Sequence, residues 1–129
     1  MARIVVDTNV LSALFSGNKA VAQKLTEYNE IILPFAVVAE LLSGYKYGTL
    51  YDQNKKIIDS FLDEAAVSVA YPDSKTIEIY SDFYAFLRKQ GTPIPIHDIW
   101  IAATAYQLSE KLYTFDTDFN NLPQLLLVS

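Results

Sequence analysis

The sequence predicts an α/β protein: a parallel β-sheet covered by helices on both faces. Three observations carry this expectation. Short apolar runs rich in β-branched residues alternate with longer stretches of helical periodicity, the order that builds parallel sheets. The strand runs are almost continuously apolar, as expected of strands buried on both faces. No repeat, low-complexity tract or linker interrupts the 129 residues, so one domain spanning 1–129 is expected, long enough to bury a real core.

The elements follow in order. Arg3-Ile4-Val5-Val6 reads as the first strand. Asp7-Thr8-Asn9 offers helix-capping residues, and Val10, Leu11, Leu14 and Phe15 recur at helical spacing until Ser16-Gly17-Asn18 stops them. A second helix carries Val21, Leu25 and Tyr28 inward. Ile31-Ile32-Leu33 is the second strand, ended by Pro34. Helical pattern resumes from Ala36 to about Tyr47 and closes at Gly48. Residues 52–65 follow with Ile57, Ile58, Phe61 and Leu62 on one face. Val67-Ser68-Val69 is the third strand. From Ser74 to Gln90 a helix places Ile77, Tyr80, Phe83, Tyr84 and Leu87 on one side and ends at Gly91. After Pro93 and Pro95 a helix runs from Asp98 to about Ser109. Leu112–Phe115 is the fourth strand and Leu125–Val128 a short fifth.

Composition narrows the function. With 51% hydrophobic and 19% charged residues the chain is that of an ordinary globular protein rather than a disordered one. No apolar run approaches the roughly 18 residues of a membrane span, and the apolar stretch in "MARIVVDTN" is too short for a signal peptide, so a cytoplasmic protein without membrane contact is expected. The absence of cysteine removes thiol catalysis, zinc–thiolate sites and disulfides. The net charge of −5 and pI near 4.7 oppose nucleic-acid binding unless cations or a local basic patch offset the acids.

Ligands of parallel sheets sit at the carboxyl ends of strands, where the strand order reverses. Asp7 follows the first strand and Asp116 the fourth; if these strands are neighbours, both carboxylates enter one crevice. Each acid also has a plainer reading. Asp7 suits a helix cap. Glu40, in "PFAVVAELLSG", is the only charge between Glu30 and Lys46 and suits a narrow solvated stripe, although the small Ala36 and Gly44 at i−4 and i+4 leave room beside it. Asp98 suits the first turn of a helix, where a carboxylate meets the helix dipole. The small residues Ala102-Ala103-Thr104-Ala105 would let that helix pack closely on the sheet and carry Asp98 toward the strand ends. Asp116 and Asp118 suit a solvated turn. His97, the lone histidine, is read as structural or surface. Gathered in one crevice, the four carboxylates Asp7, Glu40, Asp98 and Asp116 would repel one another unless a cation joined them. Hard oxygen ligands suit Mg²⁺ or Mn²⁺, and the chemistry that follows is metal-assisted phosphodiester hydrolysis.

The motifs "VVDTNVL", "ELLSG", "HDIWIAATA" and "LYTFDTDF", in this order and over nearly the whole chain, resemble the PIN domain, and within it the VapC toxins of toxin–antitoxin modules. The resemblance implies a three-layer α/β/α fold with a five-stranded parallel sheet and a Mg²⁺- or Mn²⁺-dependent endoribonuclease that inhibits translation by cleaving tRNA or rRNA. It implies that Asp7, Glu40, Asp98 and Asp116 are the catalytic metal ligands, supported by the hydroxyls of Thr8 and Thr114. Asp118 is either an outer ligand or the cap of the turn that begins at Phe119. Phe115 stands where many relatives carry a polar or basic residue. A homodimer is implied, as is a cognate antitoxin whose C-terminal segment crosses the groove and which alone contacts operator DNA.

In "GYKYGTLYDQNKK" lysines alternate with tyrosines, and Lys46, Tyr47 and Lys55 are candidates for contact with RNA or antitoxin; packed tyrosines and solvated lysines are the plainer reading. Two other phosphate-handling folds fail on their motifs. A receiver domain needs an acidic pair after the first strand and a Lys after the fifth. A haloacid-dehalogenase-type phosphatase needs its "DTD" near the front. The competing class is a catalytically silent PIN-like module that binds protein or RNA.

Overall fold

The computed structural model describes residues 2–129. Five strands, β1 (Arg3–Val6), β2 (Glu30–Pro34), β3 (Val67–Ala70), β4 (Lys111–Tyr113) and β5 (Leu127–Val128), form one sheet in the order β3-β2-β1-β4-β5, with every neighbouring pair parallel. Six helices connect them: α1 (Thr8–Phe15), α2 (Lys19–Leu25), α3 (Phe35–Tyr47), α4 (Tyr51–Leu62), α5 (Ser74–Lys89) and α6 (Ile96–Leu108). A 3₁₀ turn, Thr117–Asn121, lies between β4 and β5. The expected α/β class and three-layer arrangement are borne out.

The order explains the layers. The chain steps outward from β1 to β2 to β3, then returns across the sheet to β4. Parallel crossovers are right-handed, so reversing direction places α5 and α6 on the opposite face from α1 to α4. Phe15 meets Phe61 edge-on between α1 and α4, and Phe83 meets Tyr106 between α5 and α6, while Phe35 and Trp100 join α3 to α6. β1 is the central strand, and Ile4, Val5 and Val6 are wholly buried. The reversal falls between β1 and β4, registered Ile4 to Lys111, Val5 to Leu112 and Val6 to Tyr113. The neighbour relation that would bring Asp7 and Asp116 together therefore holds.

Helix α6 is buried nearly all round: Ile99, Ile101, Ala102, Ala103, Thr104 and Ala105 are all core. It packs against α5, α3, β2 and β4, and four consecutive small residues permit that density of neighbours. It begins at Ile96, two residues before the expected start, because Pro95 (φ −57°) already has helical φ and sits at the cap.

Other boundaries shift for identifiable reasons. β4 ends at Tyr113 rather than Phe115: the Phe115 amide donates to Asn9 Oδ1 (3.3 Å) instead of a strand partner. β5 starts at Leu127 rather than Leu125, whose amide turns back to the Leu122 carbonyl (3.1 Å). The helix expected over 52–65 stops at Leu62 in a turn that bonds Glu64 N to Phe61 O. The α5 stripe buries Phe83 and Leu87 but leaves Ile77 and Tyr84 exposed.

The tight packing of α6 yields a direct expectation. Ala102→Leu forces a larger side chain into a filled core and should cost about 1–3 kcal/mol, read as a lower urea midpoint with unchanged slope.

Candidate active site

A cleft of about 360 Å³ opens at the carboxyl ends of the strands, lined by Asp7, Thr8, Asn9, Glu40, Pro95, His97, Asp98 and Asp116. Each acid arrives on a different element. Asp7 is the residue after β1, and its amide extends the β1–β4 ladder to the Tyr113 carbonyl (3.0 Å). Glu40 projects from the exposed side of α3. Asp98 lies in the first turn of α6. Asp116 follows β4 and caps the 3₁₀ turn.

Thr114 ties the two strand ends together. Its hydroxyl donates to Asp7 Oδ2 (2.7 Å) and accepts from the Asp116 amide (3.0 Å). Asp7 Oδ1 accepts the Thr8 amide (2.7 Å), so both oxygens of this nearly buried carboxylate are engaged and its orientation is fixed. The N-cap reading of Asp7 and the site reading are thus both realised by the same side chain. At the next turn it is Asp116, not Asp118, that caps: its Oδ1 accepts the Asp118 amide (2.9 Å). The Asp118 carboxylate instead joins Asp98 and Asp116, with one oxygen from each lying within 4.8 Å of the others.

The electrostatics are those of crowded like charges. Burial raises the Asp7 carboxyl above its ordinary value; hydrogen bonds from Thr114 and Thr8 oppose this, while Glu40 and Asp116 add to it. Asp98 is pushed up to about 7, first by burial and then by the charges of Asp7, Asp116, Glu40 and Asp118. Among the described residues no lysine or arginine lines the cleft.

This donor set fits a hard divalent cation. All candidate ligands are oxygens, as Mg²⁺ and Mn²⁺ prefer. Two ligands on a Mg²⁺ ion stand at most about 4.2 Å apart, so the Asp98, Asp116 and Asp118 oxygens need only small rotations or an intervening water. The Thr8 hydroxyl oxygen is buried at the cleft wall without a hydrogen-bond partner, a vacancy that a hydrated ion would fill.

Of the residues singled out in the sequence, Asp7, Thr8, Glu40, Asp98 and Asp116 line the cleft, Thr114 braces it, and Asp118 joins the carboxylate group. Lys46, Tyr47 and Lys55 do not line it. Tyr47 is almost fully exposed, Lys46 lies over the Tyr51 ring (5.6 Å), and Lys55 pairs with Asp59 (2.7 Å). Sequence reasoning missed Asn9 and Pro95. Asn9 had been absorbed into the capping signal, yet its side chain holds the Phe115 amide across the β1–β4 junction. His97 is on the surface, as expected, but at the lip of this cleft.

Residues 4–125 match the family described as PIN domain. The chain is 28% identical over 126 residues to Ribonuclease VapC1 of Haemophilus influenzae strain R2866, covering 94% of this chain and 92% of that protein. Among solved structures, VapBC-1 from nontypeable Haemophilus influenzae superposes with a TM-score of 0.88 at 26% identity, over 98% of this chain and 97% of the other. VapBC-5 from Mycobacterium tuberculosis, of the VapBC family of toxin-antitoxin systems, shares the fold with a TM-score of 0.77 at 20% identity, over 99% and 98%.

Two outcomes follow from the geometry. Thr114→Val removes the hydroxyl that orients Asp7 and should weaken Mn²⁺ binding by about 10–100-fold, measured by calorimetry, whereas Thr114→Ser should retain most of it. Asp98 holds its proton more tightly folded than unfolded, so the metal-free protein should lose stability as pH rises from 3.8 through about 7. Melting curves at pH 5 and pH 8 should show this loss, and Asp98→Asn should diminish it.

Proposed function

The chain belongs to the PIN domain family, and from that premise we propose that it is a divalent-metal-dependent endoribonuclease, the toxin of a toxin–antitoxin pair. The observation that carries this reading is the convergence of Asp7, Glu40, Asp98 and Asp116 on one cleft at the β1–β4 reversal. The likeness to Ribonuclease VapC1 supports RNA as the substrate, and the VapBC structures support a protein antitoxin as the partner.

In this reading Asp7, Glu40, Asp98 and Asp116, with Asp118 beside them, would hold Mg²⁺ or Mn²⁺ directly or through water. When bound, the ion supplies the positive charge that a scissile phosphodiester requires and makes water a better nucleophile. The chain's own residues do the rest. Thr114 and the Thr8 amide fix the Asp7 carboxylate, so the ligand does not reorganise during reaction. The Asp116 carboxylate is held by the Asp118 amide, which leaves its second oxygen for the cleft. Glu40, exposed on α3, reaches the same cleft as the remaining carboxylate of the set. Action on tRNA or rRNA in the cytoplasm as a homodimer completes the proposal, with operator contact left to the antitoxin, in keeping with a net charge of −5.

The test is cleavage of total cellular RNA by the antitoxin-free protein. Discrete fragments should appear with Mn²⁺ or Mg²⁺, vanish with chelator, and fall at least about 100-fold in Asp7→Asn or Asp98→Asn. Intact RNA with wild-type protein and added Mn²⁺ would sink the ribonuclease assignment and favour a silent PIN-like module.

A further inference from the structure

A second, smaller hollow of about 170 Å³ adjoins the acidic cleft, lined by Thr114, Phe115, Asp116, Thr117, Asn120, Leu127, Val128 and Ser129. The two share Asp116 as a common wall. Their chemistry differs. The cleft presents several carboxylates; the hollow has Asp116 alone, beside an aromatic ring, a small apolar strip from β5, and the neutral polar side chains of Thr117 and Asn120.

Phe115 is the unusual member. It is 48% exposed although it directly follows two buried residues, Tyr113 and Thr114. Its position is held from two sides: its amide by Asn9 Oδ1 (3.3 Å), and its ring by an edge-on contact with buried Tyr113 (5.7 Å between centroids). The ring is therefore braced from beneath and open above. Outside the lining, Lys24 Nζ lies 5.7 Å from the Tyr113 ring and donates to the Ser129 main-chain oxygen (3.3 Å).

We propose that this hollow is the subsite for the nucleotide next to the scissile phosphate, with Phe115 as the platform on which its base stacks. The inference rests on the ribonuclease reading and deepens it. Continuity through Asp116 puts the hollow one wall away from the cleft. An exposed, rigidly held ring suits a flat unpaired base, which is how proteins take hold of single-stranded RNA. Thr117 and Asn120 offer hydrogen-bonding groups to a base edge or ribose. Phe115 is a substrate-positioning residue; it takes no part in the proton or metal chemistry.

The experiment uses a synthetic RNA stem-loop spanning a cleavage site mapped with the wild-type protein, cleaved in Mn²⁺. Base–aromatic stacking lost to alanine should raise KM roughly tenfold in Phe115→Ala, with a much smaller change in kcat and unchanged Mn²⁺ affinity. Phe115→Leu should behave like Phe115→Ala, because it is apolar without a π-face, and Phe115→Trp should recover wild-type KM. An abasic nucleotide beside the cleavage site should weaken wild type about as much as Phe115→Ala does, and add little to that variant. Equal KM for wild type and Phe115→Ala, or an abasic penalty that persists undiminished in the variant, overturns the subsite. A variant that keeps its RNA KM but loses affinity for the antitoxin assigns the ring to a protein partner and also overturns it. Failure of wild type to cleave any RNA removes the ribonuclease reading itself, a result distinct from cleavage that ignores Phe115.

Discussion

Everything at the functional end of this molecule depends on the pairing of β1 with β4. These strands lie more than a hundred residues apart in sequence, and their parallel register puts Val6 beside Tyr113. The next residues on each side are Asp7 and Thr114. The last ladder bond, from the Asp7 amide to the Tyr113 carbonyl, is followed at once by the side-chain bond from Thr114 to the Asp7 carboxylate. Backbone pairing thus passes directly into site geometry, with no flexible linker between the core and the first acid. Sites built on rigid elements hold their shape better than sites built on loops. Asn9 adds a second tie across the same junction by holding the Phe115 amide.

That arrangement has a cost, which falls on Asp98. A carboxyl group raised to about 7 is one whose charged form the surroundings disfavour. Burial is the largest cause, and α6 is the reason for the burial: its small residues let it sink among α5, α3 and the sheet, carrying its first turn into the cleft. The core that stabilises the helix is therefore the same feature that destabilises the acid at its end. Such local conflict is what a site looks like when the fold holds like charges together for a purpose other than stability.

Much of this was legible in the sequence because two different signals pointed the same way. Ile4-Val5-Val6 carries the β-branched pattern of a strand buried on both faces, and an acid immediately after such a strand falls at a predictable place in a parallel sheet. Asp98 was legible through the small residues that follow it, and Glu40 through the contrast with its apolar neighbours. Other features were illegible for physical reasons. Asp116 and Asp118 are two residues apart in a turn, and which of them accepts the amide of the other is decided by loop dihedrals rather than composition. Asn9 sits in a run whose capping propensity already explains its presence, so nothing in the sequence marked its bond to Phe115. The ends of β4 and β5 were misplaced because side-chain and turn hydrogen bonds claim amides there that the apolar pattern assigned to the sheet.

The acidity of the whole chain need not conflict with RNA as a substrate, provided that charge is assigned to places rather than summed. The acids of the cleft are the groups a hard cation would neutralise, and a bound ion would reverse the local field where a scissile phosphate must sit. Away from the cleft the relevant cations are few and differently employed. Lys55 is bound to Asp59, Lys46 rests on Tyr51, and Lys24 lies by the Tyr113 ring with its ammonium on the Ser129 main-chain oxygen. Recognition that draws on an ion and an open aromatic ring would need no broad basic surface. It would also favour short, unpaired RNA over duplex, because only an unstacked base can stack on a protein ring. An acidic surface elsewhere would then repel RNA that cannot make those contacts, so that the net charge of −5 would serve selectivity rather than oppose it.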